Sequence, residues 1–203
     1  MRLKSRKILS VVIGCCLLLI IGGFIVLTQN HSKDLTPAPT RATKPTATLV
    51  KAAGIPTKIT IPTIQVDAPI DMVGITQSGD MEAPKSPMVT GWYKSGPRPG
   101  TVGSAVIAGH YGDSSSTVKS AFDNLYDLKK GDDITILDDA NETFTFVVTT
   151  TRILGRNDDS QDVFTSNDGK THLNLITCHG TWDKTEQTYS DRFIVYTDLK
   201  HAE

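Results

Sequence analysis

The sequence has few cysteines, few aromatic residues and almost no net charge. Only three of its 203 residues are cysteine, 6% are aromatic, and the formal net charge is −1. With 38% hydrophobic and 21% charged residues, the composition excludes wholesale disorder, a collagen-like repeat and a protein with several membrane spans. The length predicts one domain with an appendage.

The cysteines are too few and too unevenly placed for a disulfide framework. Cys15 and Cys16 lie together in an apolar run near the amino terminus, whereas Cys178 is alone in the rest of the chain. A lone thiol is either an inert buried side chain or a reactive one. The choice between these two roles is central to the function of this chain.

Most of the chain has more acidic than basic residues. Eight of the 21 basic residues and one of the 22 acidic residues lie within residues 1–54, so residues 55–203 carry 13 bases and 21 acids, a net charge of −8. Such an acidic region argues against binding to a phosphate backbone. We therefore expect no nucleic acid among the partners.

One long uncharged run is present, and it lies near the amino terminus. Residues 8–27 contain no charge, and twenty helical residues at about 1.5 Å each cross a hydrocarbon core of about 30 Å. Residues 1–7 hold four basic side chains, so the positive-inside rule predicts a cytoplasmic amino terminus and an extracellular remainder. A cleaved signal peptide is the alternative, but its apolar region is normally about 7–15 residues long. We expect an uncleaved, single-pass transmembrane signal-anchor at residues 8–27 and localisation to the cell membrane.

Residues 28–54 are rich in threonine, proline, alanine and lysine and contain almost no large apolar side chain. A segment of this composition cannot bury enough surface to fold, and it behaves as a semi-extended spacer. We expect an extracellular linker that holds a domain of residues 55–203 away from the membrane.

The domain after Ile55 is made of short β-branched runs separated by Gly, Pro, Asp and Asn. This spacing is typical of a sandwich or a closed barrel rather than of alternating strands and helices. In Val118–Leu128, by contrast, apolar residues recur at intervals of three and four, which predicts a helix. The domain is predicted to be mainly β with one or two short helices. The predicted strands are Lys58–Ile61, Pro69–Val73, Ser104–Ala108, Asp133–Leu137, Glu142–Ile153, Thr171–Thr177 and Arg192–Leu199.

Cys178 ends an apolar predicted strand and is followed by a polar loop. A strand end on a rigid scaffold is a common place for a functional side chain, and an unpaired extracellular thiol is an oxidation liability unless it is used. A thiol with a pKa of about 8.5 is only slightly ionised at neutral pH, so a nucleophilic cysteine needs a base or a cation close to it.

Geometry sorts the histidines that could serve as this base. His172 precedes Cys178 by six residues on one strand, roughly 20 Å away, and the side chain of His179 would point to the opposite face. The histidines of the linker and of the chain end are excluded by position. His110 remains, because it also ends an apolar strand and opens a loop. A structural role for His110 is an equal alternative on these grounds.

Acyl transfer also needs hydrogen-bond donors for the oxyanion that develops on the substrate carbonyl. Arg192 opens the last predicted strand, and a hairpin after Cys178 would bring it beside the thiol. An ion pair between Arg192 and a surface acid such as Asp191 is the alternative, and spacing alone slightly favours it.

The segments around these three residues resemble the sortases, the membrane-anchored cysteine transpeptidases of Gram-positive cell surfaces. The resemblance spans about residues 57–199 and is strongest to the class F and class E sortases. Family-like residues also occur at 61–69, 91–93 and 104–110. The three segments that carry it, in the order of the family, are Ala108-Gly109-His110, Leu175-Ile176-Thr177-Cys178 and Arg192-Phe193-Ile194-Val195.

The resemblance implies a closed eight-stranded β-barrel in which Cys178 is the nucleophile, His110 the general acid/base and Arg192 the residue that stabilises the oxyanion. It also implies cleavage of a Leu-Pro-x-Thr-Gly-like sorting signal through a thioacyl enzyme. The expected partners are surface proteins with such a carboxy-terminal signal and an amine acceptor, such as a peptidoglycan precursor or a pilin lysine. No cofactor is expected; calcium, which some sortases bind, is a minor alternative because the paired aspartates lack EF-hand spacing.

Two other functions stay open at this point. An L,D-transpeptidase is also an extracellular, β-rich enzyme with Cys and His, but its usual pattern has His-Gly before the cysteine, whereas His179 and Gly180 follow it here. A non-catalytic, tethered adhesion or interaction domain is the other alternative. Because the sequence has no carboxy-terminal hydrophobic tail or sorting motif of its own, we expect an enzyme that processes surface proteins rather than one of its substrates.

Overall fold

The alternating apolar residues of the domain form strands that share one interior. The structure is a computed structural model that describes residues 53–112 and 119–200. Its eight strands are β1 (Pro56–Ile61), β2 (Val66–Val73), β3 (Thr90–Tyr93), β4 (Gly103–Gly109), β5 (Asp133–Asp138), β6 (Thr143–Gly155), β7 (Thr171–Asp183) and β8 (Thr188–Leu199). The described helices are short: two 3₁₀ helices, Pro62–Ile64 and Leu125–Asp127, and one α-helix, α1 (Gln161–Phe164).

The strands close into a barrel in the order β1-β2-β3-β4-β7-β8-β6-β5. β2 pairs with β3, and β4 with β7, in parallel; the other neighbours are antiparallel, and β5 pairs with β1 to close the ring. Closure removes the exposed strand edges of an open sheet. The expectation of a mainly β protein with a closed eight-stranded barrel is confirmed.

The two faces of β7 have different surroundings, and this decides where Cys178 points. Leu173 and Leu175 are fully buried in the barrel core. Ile176, on the alternate face, packs against a small outer cluster of Val106, Val163 and Ile194. Because side chains alternate along a strand, Cys178 shares the outer face with Ile176.

The predicted strands all appear as strands, but two bounds at the site were wrong: β7 continues past Cys178 to Asp183, and β8 begins at Thr188, before Arg192. In addition, β3 was not predicted. It has four residues, Thr-Gly-Trp-Tyr, which is too short to display a period of two. It is held by its neighbours, since it pairs with β2 on one side and with β4 on the other.

The prediction of a helix over Val118–Leu128 is wrong for the described part of that segment. Its apolar face is correct, because Ala121, Phe122, Leu125 and Leu128 are buried, whereas Val118 lies outside the described residues. The backbone N–H groups of Ala121 and Phe122 donate to the carbonyls of Pro87 and His110, at 2.8 and 3.2 Å. Since these bonds go to other segments, only the turn Leu125–Asp127 is helical, and it is a 3₁₀ helix.

The predicted cytoplasmic segment, membrane anchor and nearly all of the predicted linker lie outside the described residues. Within residues 53–112 and 119–200, no helix has the length and apolar character needed to span a membrane.

Candidate active site

Three neighbouring strands carry the residues that the sequence singles out. β4 and β7 are parallel, with Ala108 paired to Ile176, so the same register continued by two residues places His110 beside Cys178. On the other side of β7, antiparallel β8 pairs Arg192 directly with Cys178. Adjacent strands are about 4.8 Å apart. The three predicted site residues therefore lie side by side on neighbouring strands of the barrel.

A buried hydrogen bond joins the end of β4, which precedes His110, to the part of β7 that carries Cys178. The Oγ1 hydroxyl of Thr177, a residue only 4% exposed, donates to the carbonyl of Gly109 at 2.8 Å. The bond links the residue before Cys178 to the residue before His110. A side chain at Gly109 would collide with the ring of buried Phe122. The separation of β4 and β7 beside His110 and Cys178 is therefore fixed from within the barrel.

The thiol of Cys178 is free and partly buried. Burial raises the pKa of this thiol, and the positive charge of Arg192 lowers it, with a net shift above the ordinary value. The resting side chain therefore carries its proton at neutral pH. A nucleophilic thiolate has to be generated by transfer of that proton to a base when substrate is present.

The imidazole of His110 is held by the chain segment between β2 and β3. Its Nε2 lies 2.6 Å from the carbonyl oxygen of Pro84. A carbonyl oxygen only accepts hydrogen bonds, so Nε2 bears the hydrogen of this bond. Nδ1 is then the ring atom whose lone pair can accept a proton.

The guanidinium of Arg192 is oriented by the hairpin between β7 and β8. One Nη donates to the carbonyls of Tyr189 and Asp191, at 3.1 and 2.8 Å, and the other to Oγ1 of Thr188 at 3.1 Å. The Asp191 carboxylate instead accepts from Ser190. Within residues 53–112 and 119–200, Arg192 forms no salt bridge. The alternative of an ion pair with Asp191 is therefore wrong.

A groove with a volume of about 800 Å³ opens beside Arg192 on the outer face of the barrel. Its apolar lining includes Ile176 and Ile194, and the rings of Tyr93 and Phe164 meet edge to face with centroids 5.7 Å apart. Charged residues also line it: Asp80, Arg156, Asp158 and Glu186. The groove offers both apolar and charged side chains to a ligand bound beside Arg192.

An aromatic cluster lies behind the three site residues, and the sequence analysis did not identify it. Tyr111, His179 and Phe193 directly follow His110, Cys178 and Arg192 in sequence. The ring centroids of Tyr111 and His179 are 6.5 Å apart, and those of His179 and Phe193 are 5.9 Å apart. The signal was readable, because a ring comes directly after each site residue and so turns to the other strand face.

Two further rings extend this cluster along the β7–β8 hairpin. Tyr189 contacts Tyr111 with centroids 5.5 Å apart, and Trp182 contacts Tyr189 at 5.1 Å. Trp182 is 48% exposed. These contacts place His179 within packed rings, in keeping with the expectation that its side chain faces away from Cys178.

His172 lies near the opposite end of the outer face, in a polar cavity of about 480 Å³. Its Nδ1 contacts Oδ1 of Asp198 at 2.8 Å, and its Nε2 contacts Oδ1 of Asp168 at 3.0 Å. Both ring nitrogens are thus engaged by carboxylates of the turn before β7 and of β8. His172 is placed as a structural tie and not as a partner of Cys178.

The tie at His172 predicts a pH-dependent contribution to stability. Burial lowers the pKa of His172, but its hydrogen bonds to Asp168 and Asp198 and the charges of those carboxylates outweigh burial and raise it above 6.5. The stabilisation is therefore complete at pH values below the unfolded pKa and is lost as the pH rises through the higher folded pKa. We expect His172→Gln to lower the free energy of unfolding by up to about 1 kcal/mol at pH 5.5, and by less at pH 8.5.

Urea unfolding of the wild type and of His172→Gln at pH 5.5 and pH 8.5 measures the loss of unfolding free energy at each pH. The matched control is His179→Gln. A loss of stability in His172→Gln that is the same at both pH values would contradict the proposed tie.

No set of three or more His, Cys, Asp or Glu side chains within residues 53–112 and 119–200 is arranged to hold a metal ion.

Comparison with known proteins gives a family and a set of similar folds. The model of the Sortase domain family matches residues 59–200 of the chain. Among solved structures, sortase C-1 from Actinomyces oris is 23% identical with a TM-score of 0.55, over 72% of this chain and 74% of that chain. The lid mutant of sortase A from Corynebacterium diphtheriae is 24% identical with a TM-score of 0.55, over 75% of this chain and 74% of that chain.

A third solved structure, the Clostridium perfringens Sortase D5 transpeptidase, is 24% identical with a TM-score of 0.53, over 73% of this chain and 79% of that chain. No curated protein matches the chain at a significant level. At these identities the solved structures establish the likeness of the fold, and the family match covers most of the barrel.

Proposed function

The chain belongs to the sortase family, whose members are cysteine transpeptidases, and on this premise we propose that it cleaves a Leu-Pro-x-Thr-Gly-like sorting signal with Cys178, His110 and Arg192. The observation that carries the proposal is the strand register. It places Cys178 between His110, at the end of one neighbouring strand, and Arg192, on the other. Membership in this family leaves the L,D-transpeptidase and adhesion alternatives without support.

The first half of the reaction forms a thioester. The sulfur of Cys178 attacks the carbonyl carbon of the Thr–Gly bond while the thiol proton passes to Nδ1 of His110. The electron pair of the carbonyl moves to oxygen, where Arg192 stabilises the negative charge. When the tetrahedral intermediate collapses, the C–N bond breaks and the glycine amine leaves with the proton returned by His110.

The second half of the reaction transfers the acyl group. An acceptor amine attacks the thioester carbonyl, and His110 takes a proton from the attacking nitrogen. Collapse of this second intermediate breaks the C–S bond, and Cys178 regains its proton from His110. Two protons are thus shuttled through the same imidazole, and the enzyme ends in its resting, protonated form.

The hydrogen bonds of Arg192 suit it to the role of an oxyanion donor. A guanidinium has five N–H groups, and three of the hydrogen bonds they can form go to Thr188, Tyr189 and Asp191. The remaining two N–H groups donate to no group within residues 53–112 and 119–200, so they can serve a substrate from a side chain that is already oriented. Preorganised donors of this kind need no reorganisation as the charge develops.

We also propose where the enzyme works and what it acts on. The basic residues 1–7, the uncharged run 8–27 and the linker 28–54 support a membrane-anchored enzyme with an extracellular barrel. Its substrates would be surface proteins with a carboxy-terminal sorting signal, and its acceptor an amine of the cell wall or of a pilin. Mass spectrometry of the membrane-extracted protein tests the anchor, and a mature amino terminus between Gly14 and Gly54 would contradict it.

The function is tested with detergent-solubilised full-length protein, a fluorogenic peptide library of sorting-signal variants and an amine acceptor such as triglycine. We expect cleavage between Thr and Gly and a product joined to the acceptor, both absent for Cys178→Ala. Cleavage of a different bond, or no turnover of any library member, would refute the proposed substrate.

A further inference from the structure

The contact between His110 and Pro84 joins the catalytic base to a segment far from it in the chain. The N–O distance of 2.6 Å is slightly shorter than the usual range for N–H···O hydrogen bonds, which is about 2.7–3.2 Å. The main chain of His110 is held as well, because its carbonyl accepts from the N–H of Phe122 at 3.2 Å. The ring and the backbone of His110 are therefore restrained from two sides.

The Pro84 carbonyl itself belongs to a strap, residues 82–87, that is fastened at both ends. At its start, the N–H of Glu82 donates to the carbonyl of Gly74 at 3.0 Å, and the Glu82 carboxylate accepts from the N–H of Gly74 at 2.8 Å. At its end, the carbonyl of Pro87 accepts from Ala121 at 2.8 Å. Pro84 is buried between exposed neighbours. The strap thus presents one carbonyl to the imidazole from a fixed position.

We propose that the Pro84 carbonyl is a positioning group that selects the tautomer of His110 with hydrogen on Nε2. The inference rests on the proposed function, because it assigns Nδ1 as the atom that exchanges protons with Cys178 and with the amine. In many enzymes a third group, often a carboxylate, orients the base that activates a nucleophile. Here a main-chain carbonyl takes that place: it is the sole hydrogen-bond partner of the His110 ring among residues 53–112 and 119–200.

The tautomer matters because only one of the two neutral forms can work. With hydrogen on Nε2, the lone pair lies on Nδ1 and can accept the thiol proton. With hydrogen on Nδ1, the ring has no lone pair at that position. A carbonyl at Nε2 stabilises the first form and, because it accepts from either charge state, keeps the ring in place after it is protonated.

The test weakens the carbonyl without changing a side chain at Pro84. Replacing Lys85 by its α-hydroxy analogue in the full-length protein turns the Pro84–Lys85 amide into an ester, whose carbonyl is a poorer acceptor. The N–H of Lys85 donates to no described hydrogen bond, so its loss removes no other contact. The matched control is the same replacement at Ser86, which weakens the carbonyl of Lys85 instead.

The first readout needs no substrate. Nitrogen-15 spectra of the imidazole should show the neutral wild-type ring with hydrogen on Nε2, and the Lys85 ester with a larger share of the other tautomer. The Ser86 ester should resemble the wild type. A wild-type ring with hydrogen on Nδ1 overturns the inference, whatever the enzyme cleaves.

The second readout is kinetic. A net hydrogen bond of about 0.5–1.5 kcal/mol corresponds to a two- to tenfold effect, so kcat should fall by up to about tenfold in the Lys85 ester. KM should be unchanged, since the carbonyl acts through the base and not on the bound peptide. Equal kcat in the two esters contradicts the inference while leaving the sorting reaction intact. If the wild-type protein cleaves no sorting signal, the proposed function is refuted. The tautomer of His110 measured by nitrogen-15 spectra remains valid in that case, because that measurement needs no substrate.

Discussion

Cys178→Ala and His110→Ala are each expected to abolish transpeptidation, while His172→Ala and His179→Ala retain much of the activity. No other thiol is present in the barrel sequence, so loss of Cys178 removes the only group that can form the thioester. General acid–base catalysis contributes about 10²–10⁴-fold, so His110→Ala should lower kcat by at least 10²-fold.

These four variants are compared by the rate of the transfer product, with melting temperature as the control for folding. Cys178 is on the outer face of the barrel, so its replacement by alanine should leave the melting temperature nearly unchanged. If His179→Ala were as inactive as His110→Ala and still folded, the assignment of the base would be wrong.

Arg192→Lys and Arg192→Ala are expected to lower kcat by about 10²–10³-fold, or about 3–4 kcal/mol, the usual effect of losing one oxyanion donor. KM should change little, because the interaction strengthens mainly in the transition state. Lysine keeps the charge, but it lacks the planar fork that lets Arg192 bond to the hairpin and to a substrate oxygen together.

Arg98→Lys is the matched control for this prediction. The Arg98 guanidinium also donates to a main-chain carbonyl, that of Ala53 at 3.1 Å. Arg98 precedes the start of β4, where Gly103 pairs with Thr171, seven residues before Cys178 on β7. Its kcat should equal that of the wild type. A near-wild-type kcat in both Arg192 variants would leave this residue with a structural role in the hairpin.

The β-branched runs and the turn residues between them predicted a mainly β domain, either a sandwich or a barrel, and the family resemblance predicted the closed eight-stranded barrel. Long strands are easily recognised in this way. β7 and β8, with 13 and 12 residues, are clear examples. β3 was not predicted, because it has only four residues and forms a strand by pairing with its neighbours. The helix over residues 118–128 failed for a related reason: its apolar spacing is real, but its N–H groups bond to distant carbonyls.

In the candidate site, too, features set by neighbouring residues in the sequence could be predicted, whereas contacts between distant segments could not. Cys178, His110 and Arg192 could be proposed from strand ends and from the family resemblance, and the register brings them together. The Pro84 carbonyl could not be found, because every residue has a carbonyl and this one reaches His110 across 26 positions. The interpretation as a class F or class E sortase stays a prediction, since the three similar solved structures described above are named sortases A, C and D.

The bond from Thr177 to Gly109 spans 68 positions of the chain and belongs to a parallel pairing. The entropy cost of closing such a loop grows only slowly with its length, but contacts of long range slow the folding of a domain. The thiol can therefore lie beside its base only when β4 and β7 have paired. The two side chains are brought together by tertiary pairing, and no local segment of the chain contains both.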